Sequence, residues 1–158
     1  MSRTELTRPL TAIDPDTAAR LRAVAGRIHR RLRPTATGAA ERLTPTRAAV
    51  LVRIVREGPL RLSELASREG INPTMLSRTI QALREAGLVE RSCDEGDRRS
   101  AWVGPTARAR RVVERMRHER TDAVKVALAS LSEQERRAIE RALPALEAFA
   151  EHLREPWS

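Results

Sequence analysis

Apolar residues return every three or four positions through successive stretches of the chain, separated by prolines, glycines and short polar runs. Leu21, Val24, Ala25, Ile28 and Leu32 follow the cap signal Asp14-Pro15-Asp16, and Pro34 follows Arg33. This spacing predicts an amphipathic helix over about residues 14–33. Pro34 to Glu41, rich in Thr, Ala and Gly, reads as a loop. Thr44-Pro45 caps a second helix whose Ala48, Leu51, Val52, Ile54 and Val55 leave almost no polar face before Glu57-Gly58-Pro59 stops it. That helix is expected at the centre of the core. Leu60 to Leu62 suits a short strand or extended link, and Ser63 to Glu69 a two-turn helix with Leu62, Leu65 and Ala66 facing inward.

The next stretch has both helix ends written into it. Asn72 can accept from orphan amides, Pro73 suits the first helical position, and Gly87 suits a left-handed terminus. Leu76, Ile80 and Leu83 share one face that can bury with Ile71 and Leu88. The opposite face carries Thr74, Ser77, Arg78, Gln81 and Arg84, short donors and acceptors with arginines behind them. A helix needs that set to reach base edges and phosphates in a major groove. With the preceding short helix and the turn Arg68-Glu69-Gly70-Ile71 it makes a helix-turn-helix. Two β-compatible runs, Leu88 to Ser92 and Ser100 to Val103, flank the polar segment Cys93 to Arg99 and predict a hairpin, a wing tipped by Arg98 and Arg99.

Pro105-Thr106 opens a long helix to about Ser130, with an apolar stripe of Val112, Val113, Met116, Ala123, Val126 and Ala127. Ser132 and Glu135 have capping-box spacing, and Ile139, Leu143, Leu146, Phe149 and Leu153 mark a last helix that Pro144 is expected to kink. The fold class expected is mostly α: a winged helix-turn-helix over about residues 44–104, with a helical dimerisation region at about 14–33 and 106–154, in a single domain. A small winged unit has too little surface to bury the stripes of the first and last two helices, so a homodimer is expected. Paired readers would meet half-sites about one helical turn, ~34 Å, apart.

Composition sharpens the partner. The 158 residues carry a net charge of +9 and a pI near 11.4. The charge is +7 over residues 1–60, +4 over 61–120 and −2 over 121–158. A basic middle and a mildly acidic end agree with double-stranded DNA at the centre and a partner subunit at the termini. Lys125 is the only lysine, so the positive charge is nearly all guanidinium, although a GC-rich coding bias accounts for most of that excess. Met1 to Leu10 has no apolar core of a secretory signal, and no apolar run is long enough to cross a bilayer. A cytoplasmic protein without membrane association is expected.

The candidate chemistry is otherwise sparse. Cys93, the single cysteine, lies beside Asp94 and Glu95, which disfavour the thiolate, so an inert thiol is expected. His29, His118 and His152 have no metal-ligand spacing. Trp102 reads as a packing residue of the last wing strand, and Trp157 as a tail residue. No glycine-rich phosphate loop, paired apolar carboxylates or nucleophile with a base occurs, so neither an enzyme nor a cofactor or metal is expected.

The pattern from about Asp16 to Leu153 resembles the MarR family of bacterial transcriptional regulators. The matching residues are Leu43-Thr44-Pro45, Gly58-Pro59-Leu60 before Ser63-Glu64-Leu65-Ala66, Asn72-Pro73-Thr74, Ser77-Arg78, Leu83, Gly87-Leu88-Val89-Glu90-Arg91, and Asp97-Arg98-Arg99 followed by Thr106. The resemblance implies a homodimeric winged helix-turn-helix regulator, usually a repressor, that often releases DNA on binding a small-molecule effector, frequently aromatic or anionic, or on cysteine oxidation. It implies that Thr74, Ser77 and Arg78 face the groove, that Arg99 and Arg98 contact the minor groove or phosphates, and that Asp97 orients an arginine. The DNA-binding set is thus Asn72, Thr74, Ser77, Arg78, Gln81, Arg84, Asp97, Arg98 and Arg99. The first helix would border the effector cavity, making His29 its candidate. Pro105 and Ala109 depart from the usual Leu and Gly at the junction between wing and helix. A winged-helix module that binds a protein partner, or a winged-helix regulator of another family, stands as the alternative.

Overall fold

The computed structural model describes residues 14–93 and 101–153, without the side chains of Cys93 and Ala101. The arm expected at Met1 to Ile13 and the tail residue Trp157 lie outside the described residues. The order is α1 (Pro15–Leu32), α2 (Ala36–Ala40), α3 (Pro45–Glu57), β1 (Leu60–Arg61), α4 (Leu62–Glu69), α5 (Pro73–Glu85), β2 (Val89–Cys93), β3 (Ala101–Pro105), α6 (Ala107–Ala129) and α7 (Glu133–His152). The chain falls into two units, one ending at Arg120 and one beginning at Thr121.

The first unit holds a core of Val50, Leu51, Ile54, Leu60, Leu65, Leu76, Ile80, Leu83, Leu88, Val89, Val103, Ala109, Val112 and Met116. α3 supplies Val50, Leu51 and Ile54 from its centre, as its nearly unbroken apolar surface requires. A three-stranded antiparallel sheet in the order β1-β3-β2 closes the unit. β2 and β3 pair from Val89 with Pro105 to Cys93 with Ala101, and β1 adds Leu60 against Val103 and Arg61 against Trp102. Trp102 is half-buried, with the Arg61 guanidinium 5.2 Å from its ring centroid. Pro105 and Ala109, the two departures at the junction, are both buried.

The loop expected from Pro34 to Glu41 is corrected by the structure, because it contains the short helix α2. Thr35 caps it through the Gly38 amide at 3.0 Å. Glu119 of α6 accepts the Thr37 amide at 3.1 and 3.2 Å and the Thr37 hydroxyl as well. Long-range capping of this kind lets five residues turn where local propensity gives no helix. α6 also fastens α1, since Arg120 Nε donates to the Leu32 carbonyl at 3.1 Å.

In the second unit Ser132 and Glu135 form the expected capping box. α7 runs through Pro144, which has no N–H to give the Glu140 carbonyl. Among the described residues from Thr121 onward none is buried.

Candidate nucleic-acid interface

Two glycine termini set α4 and α5 at their turn. α4 ends at Gly70, left-handed at φ 60, with Ile71 N–H on the Ala66 carbonyl at 3.1 Å and Gly70 N–H on that of Ser67 at 3.2 Å. α5 ends alike at Gly87, φ 67, with Leu88 N–H on Leu83 and Gly87 N–H on Arg84, both at 2.9 Å. Between these ends Leu76, Ile80 and Leu83 are at most 2% exposed. Each such burial contributes about 1.5–3 kcal/mol, enough to fix which face of α5 looks outward.

The outward face carries Thr74, Ser77, Arg78, Gln81 and Arg84, all exposed. Asn72 is exposed too, but its Oδ1 is occupied as the cap, accepting from Met75 N–H at 2.8 Å. Gln81 Nε2 donates to Glu85 at 2.8 Å, leaving its carbonyl oxygen open. Arg78 and Arg84 have no acid partner among the described residues. Several arginines elsewhere are paired, among them Arg53 with Glu57 and Glu69, Arg68 with Glu57 and Glu64, and Arg137 with Glu133. Unpaired guanidinium on this face is free to meet an anionic partner without first breaking an ion pair.

Two residues of α5 escape the sequence reading. Met75 is 51% exposed on the outward side, where an apolar residue can touch a thymine methyl group. Its place three residues before Arg78 was the available signal. Thr79 is buried although polar. Asp97, Arg98 and Arg99, expected at the wing tip, lie outside the described residues, as does the Cys93 side chain; the paired strands β2 and β3 form the base of that wing.

The C-terminal end of α5 is held from α6. Arg108 Nη1 donates to the Ala86 carbonyl, and Nη2 to Glu41 at 2.6 Å. The Thr106 hydroxyl donates to the Gly87 carbonyl at 2.9 Å and accepts from Ala109 N–H at 3.1 Å. The Arg56 hydrogen bond, with Arg53 and Arg68 nearby, holds the Glu57 carboxyl below the usual range. Hydrogen bonds from Thr37 do the same to Glu119.

A cavity of about 310 Å³ is lined by His29, Leu32, Arg33, Pro45, Ala48, Ala49, Val52 and Arg120. His29, the residue singled out on α1, is one of its lining residues. His118 Nε2 lies 2.9 Å from Glu114, and His152 Nδ1 lies 2.6 Å from the Ala148 carbonyl. Among the described residues no three acids, histidines or cysteines gather as metal ligands, and no helix is long and apolar enough to cross a membrane.

Residues 43–101, from just before α3 to the first residue of β3, match the model of the MarR family. No curated protein matches. Among solved structures, a transcriptional regulator of Thermotoga maritima is similar at a TM-score of 0.74 and 22% identity, covering 87% of this chain and 96% of that one. A protein of Pseudomonas aeruginosa described as a transcriptional regulator is similar at 0.69 and 27% identity, covering 86% and 95%. A variant of Staphylococcus aureus MepR bound to an oligodeoxyribonucleotide is similar at 0.64 and 16% identity, covering 85% and 97%. With its outward polar helix, the paired strands β2 and β3 and the likeness to these structures, the chain has a winged helix fold, and its segment from Leu43 to Ala101 matches the MarR family.

Proposed function

We propose that the protein is a homodimeric, sequence-specific repressor, in which α5 enters the major groove and a small anionic effector releases the DNA. The observation that carries the reading is the outward face of α5, where Arg78 and Arg84 stand exposed and unpaired among the described residues beside Thr74, Ser77 and Gln81. The wing arginines Arg98 and Arg99, oriented by Asp97, would grip the flanking backbone.

Dimerism is supported by apolar surface left open on each unit separately. In α1 no residue is buried, and Val24 and Ile28 are 41% and 53% exposed. In α7 Ile139, Leu143, Leu146 and Phe149 stand exposed along one stripe. A second copy covering these residues, with residues 14–33 and 106–154 as the dimerisation region, would bury what the monomer leaves in water. An effector is supported by the cavity at His29, whose Leu32, Ala48, Ala49 and Val52 suit an apolar body and whose Arg33 and Arg120 suit a carboxylate.

The test is footprinting of the DNA adjoining this gene with the purified full chain. Protection of two half-sites about one helical turn apart supports the reading. No protection at moderate ionic strength overturns it.

A further inference from the structure

The turn that delivers the chain into α5 is held from α3 by charge. Leu65 is the one buried residue of α4, and the next buried residue along the chain is Leu76, one turn inside α5. Among the described residues none between these two is buried, although Ile71 packs against the core. Apolar packing therefore gives little purchase on the stretch from Ser67 to Met75, which carries the first groove-side residue, Thr74.

Arg53 supplies the missing attachment. Its place on α3 is fixed, since Val50, Leu51 and Ile54 around it are fully buried. Its Nη1 donates to Glu57, one turn on in the same helix, at 3.0 Å, and its Nε donates to Glu69, the last residue of α4. Arg68 grips Glu57 as well at 2.5 Å, and its other terminal nitrogen holds Glu64 at 2.5 Å. Charges thus alternate through Glu69, Arg53, Glu57, Arg68 and Glu64, joining α3 to two neighbouring residues at the end of α4. The Arg53 and Glu69 side chains are only 18% and 13% exposed, so salt screens this pair far less than the open pairs of α6 and α7. A carboxylate in the last turn of a helix is disfavoured by the helix dipole. Glu69 stands there against that preference because Arg53 meets it.

We propose that Arg53 is a positioning residue for duplex reading. By holding Glu69 directly, and Arg68 through Glu57, it sets the turn Arg68-Glu69-Gly70-Ile71 and hence the direction in which the first turn of α5 enters the groove. Its guanidinium is engaged by two carboxylates and touches neither base nor phosphate. The inference rests on the duplex binding proposed above and adds a residue outside the outward face of α5. Hydrogen bonds to base edges demand close placement, whereas contacts to the phosphate backbone carry no sequence information and survive a small tilt. Loss of the tie therefore costs discrimination before it costs affinity for duplex in general.

The test compares the full chain with Arg53→Met, Glu69→Gln and the double variant, with thermal melts to confirm folding. In hydrogen exchange without DNA, Arg53→Met is expected to speed the Gly70 and Ile71 amides, which donate to the Ser67 and Ala66 carbonyls, roughly tenfold. The Leu88 amide, beyond the other end of α5, stays unchanged. Binding is then measured on the duplex protected in footprinting and on a scrambled duplex of the same length. Affinity for the first falls roughly tenfold, while affinity for the second and the slope of log affinity against log salt stay nearly level. Glu69→Gln does the same, and the double variant is no worse than either single one. Should Arg53→Met not fold, Glu69→Gln decides by the same criteria. The proposal is overturned if exchange at Gly70 and Ile71 is unchanged, or if affinity for both duplexes falls in proportion. It is also overturned if the salt slope flattens by about one unit, as loss of a phosphate contact would require. A wild-type chain that does not distinguish the two duplexes instead removes the proposed function and this role with it.

Discussion

The guanidinium of Arg108 donates to the main-chain carbonyl of Ala86, the cap residue between the end of α5 and the left-handed Gly87. Its other terminal nitrogen holds Glu41, which follows α2, so one α6 side chain ties the end of the reading helix to a helix 45 residues earlier in sequence. Removing either partner should loosen the end of α5. A double-mutant cycle of Arg108→Ala and Glu41→Ala, read by chemical unfolding, should give a coupling of about 0.5–1 kcal/mol, because Arg108 is well exposed. Strict additivity would show that the link is not formed in solution.

Gly87 can be tested separately. At φ 67 it has no other atom within 4 Å of a Cβ position, so a substitution there meets no steric obstacle and acts through the backbone alone. Gly87→Ala should cost about 1–2 kcal/mol, and Gly87→Asn less, since Asn tolerates that region. Equal stability of all three in a thermal melt would contradict the left-handed terminus.

Much of this was legible in the sequence because the signals were local. Asn72-Pro73 and Gly87 bound α5, Thr44-Pro45 and Gly58 bound α3, and the apolar period chose the inner faces. What was not legible depended on residues far apart. α2 forms because Glu119 caps it from 82 residues away, and Arg47 of α3 comes to line one cleft with Arg78 of α5 only when the two helices pack. Likewise Val50, fully buried, was missed because α3 is apolar on nearly every side and periodicity cannot rank its positions.

The exposed stripe of α7 gives a prediction about assembly. Leu146→Asp places a charge in a surface that the proposed dimer buries, yet Leu146 is 41% exposed in the single chain. Sedimentation should therefore show a shift from dimer toward monomer with helix content preserved. A wild-type chain that sediments as a monomer at micromolar concentration would contradict the dimer directly.

Acid should weaken the first unit through Glu57. Its carboxyl is lowered by Arg56, Arg53 and Arg68, so the folded state binds its proton less readily than the unfolded chain. The stabilisation is present above the ordinary glutamate range and is lost as pH falls through the depressed value. Glu57→Gln should flatten the acid side of the profile of melting temperature against pH and leave its neutral side nearly level. An unchanged acid slope would remove this cluster from the account.

The central claim is that the outward side of α5 reads base edges. Once footprinting supplies an operator, the decisive measurement is the affinity of wild type and Arg78→Ala for that duplex and for a series carrying one changed base pair at a time. For wild type, one base pair near Arg78 should carry a penalty of about 1–3 kcal/mol. For Arg78→Ala that penalty should collapse while those at the other positions persist. Equal penalties at every position in both proteins would mean that this face does not lie in the groove.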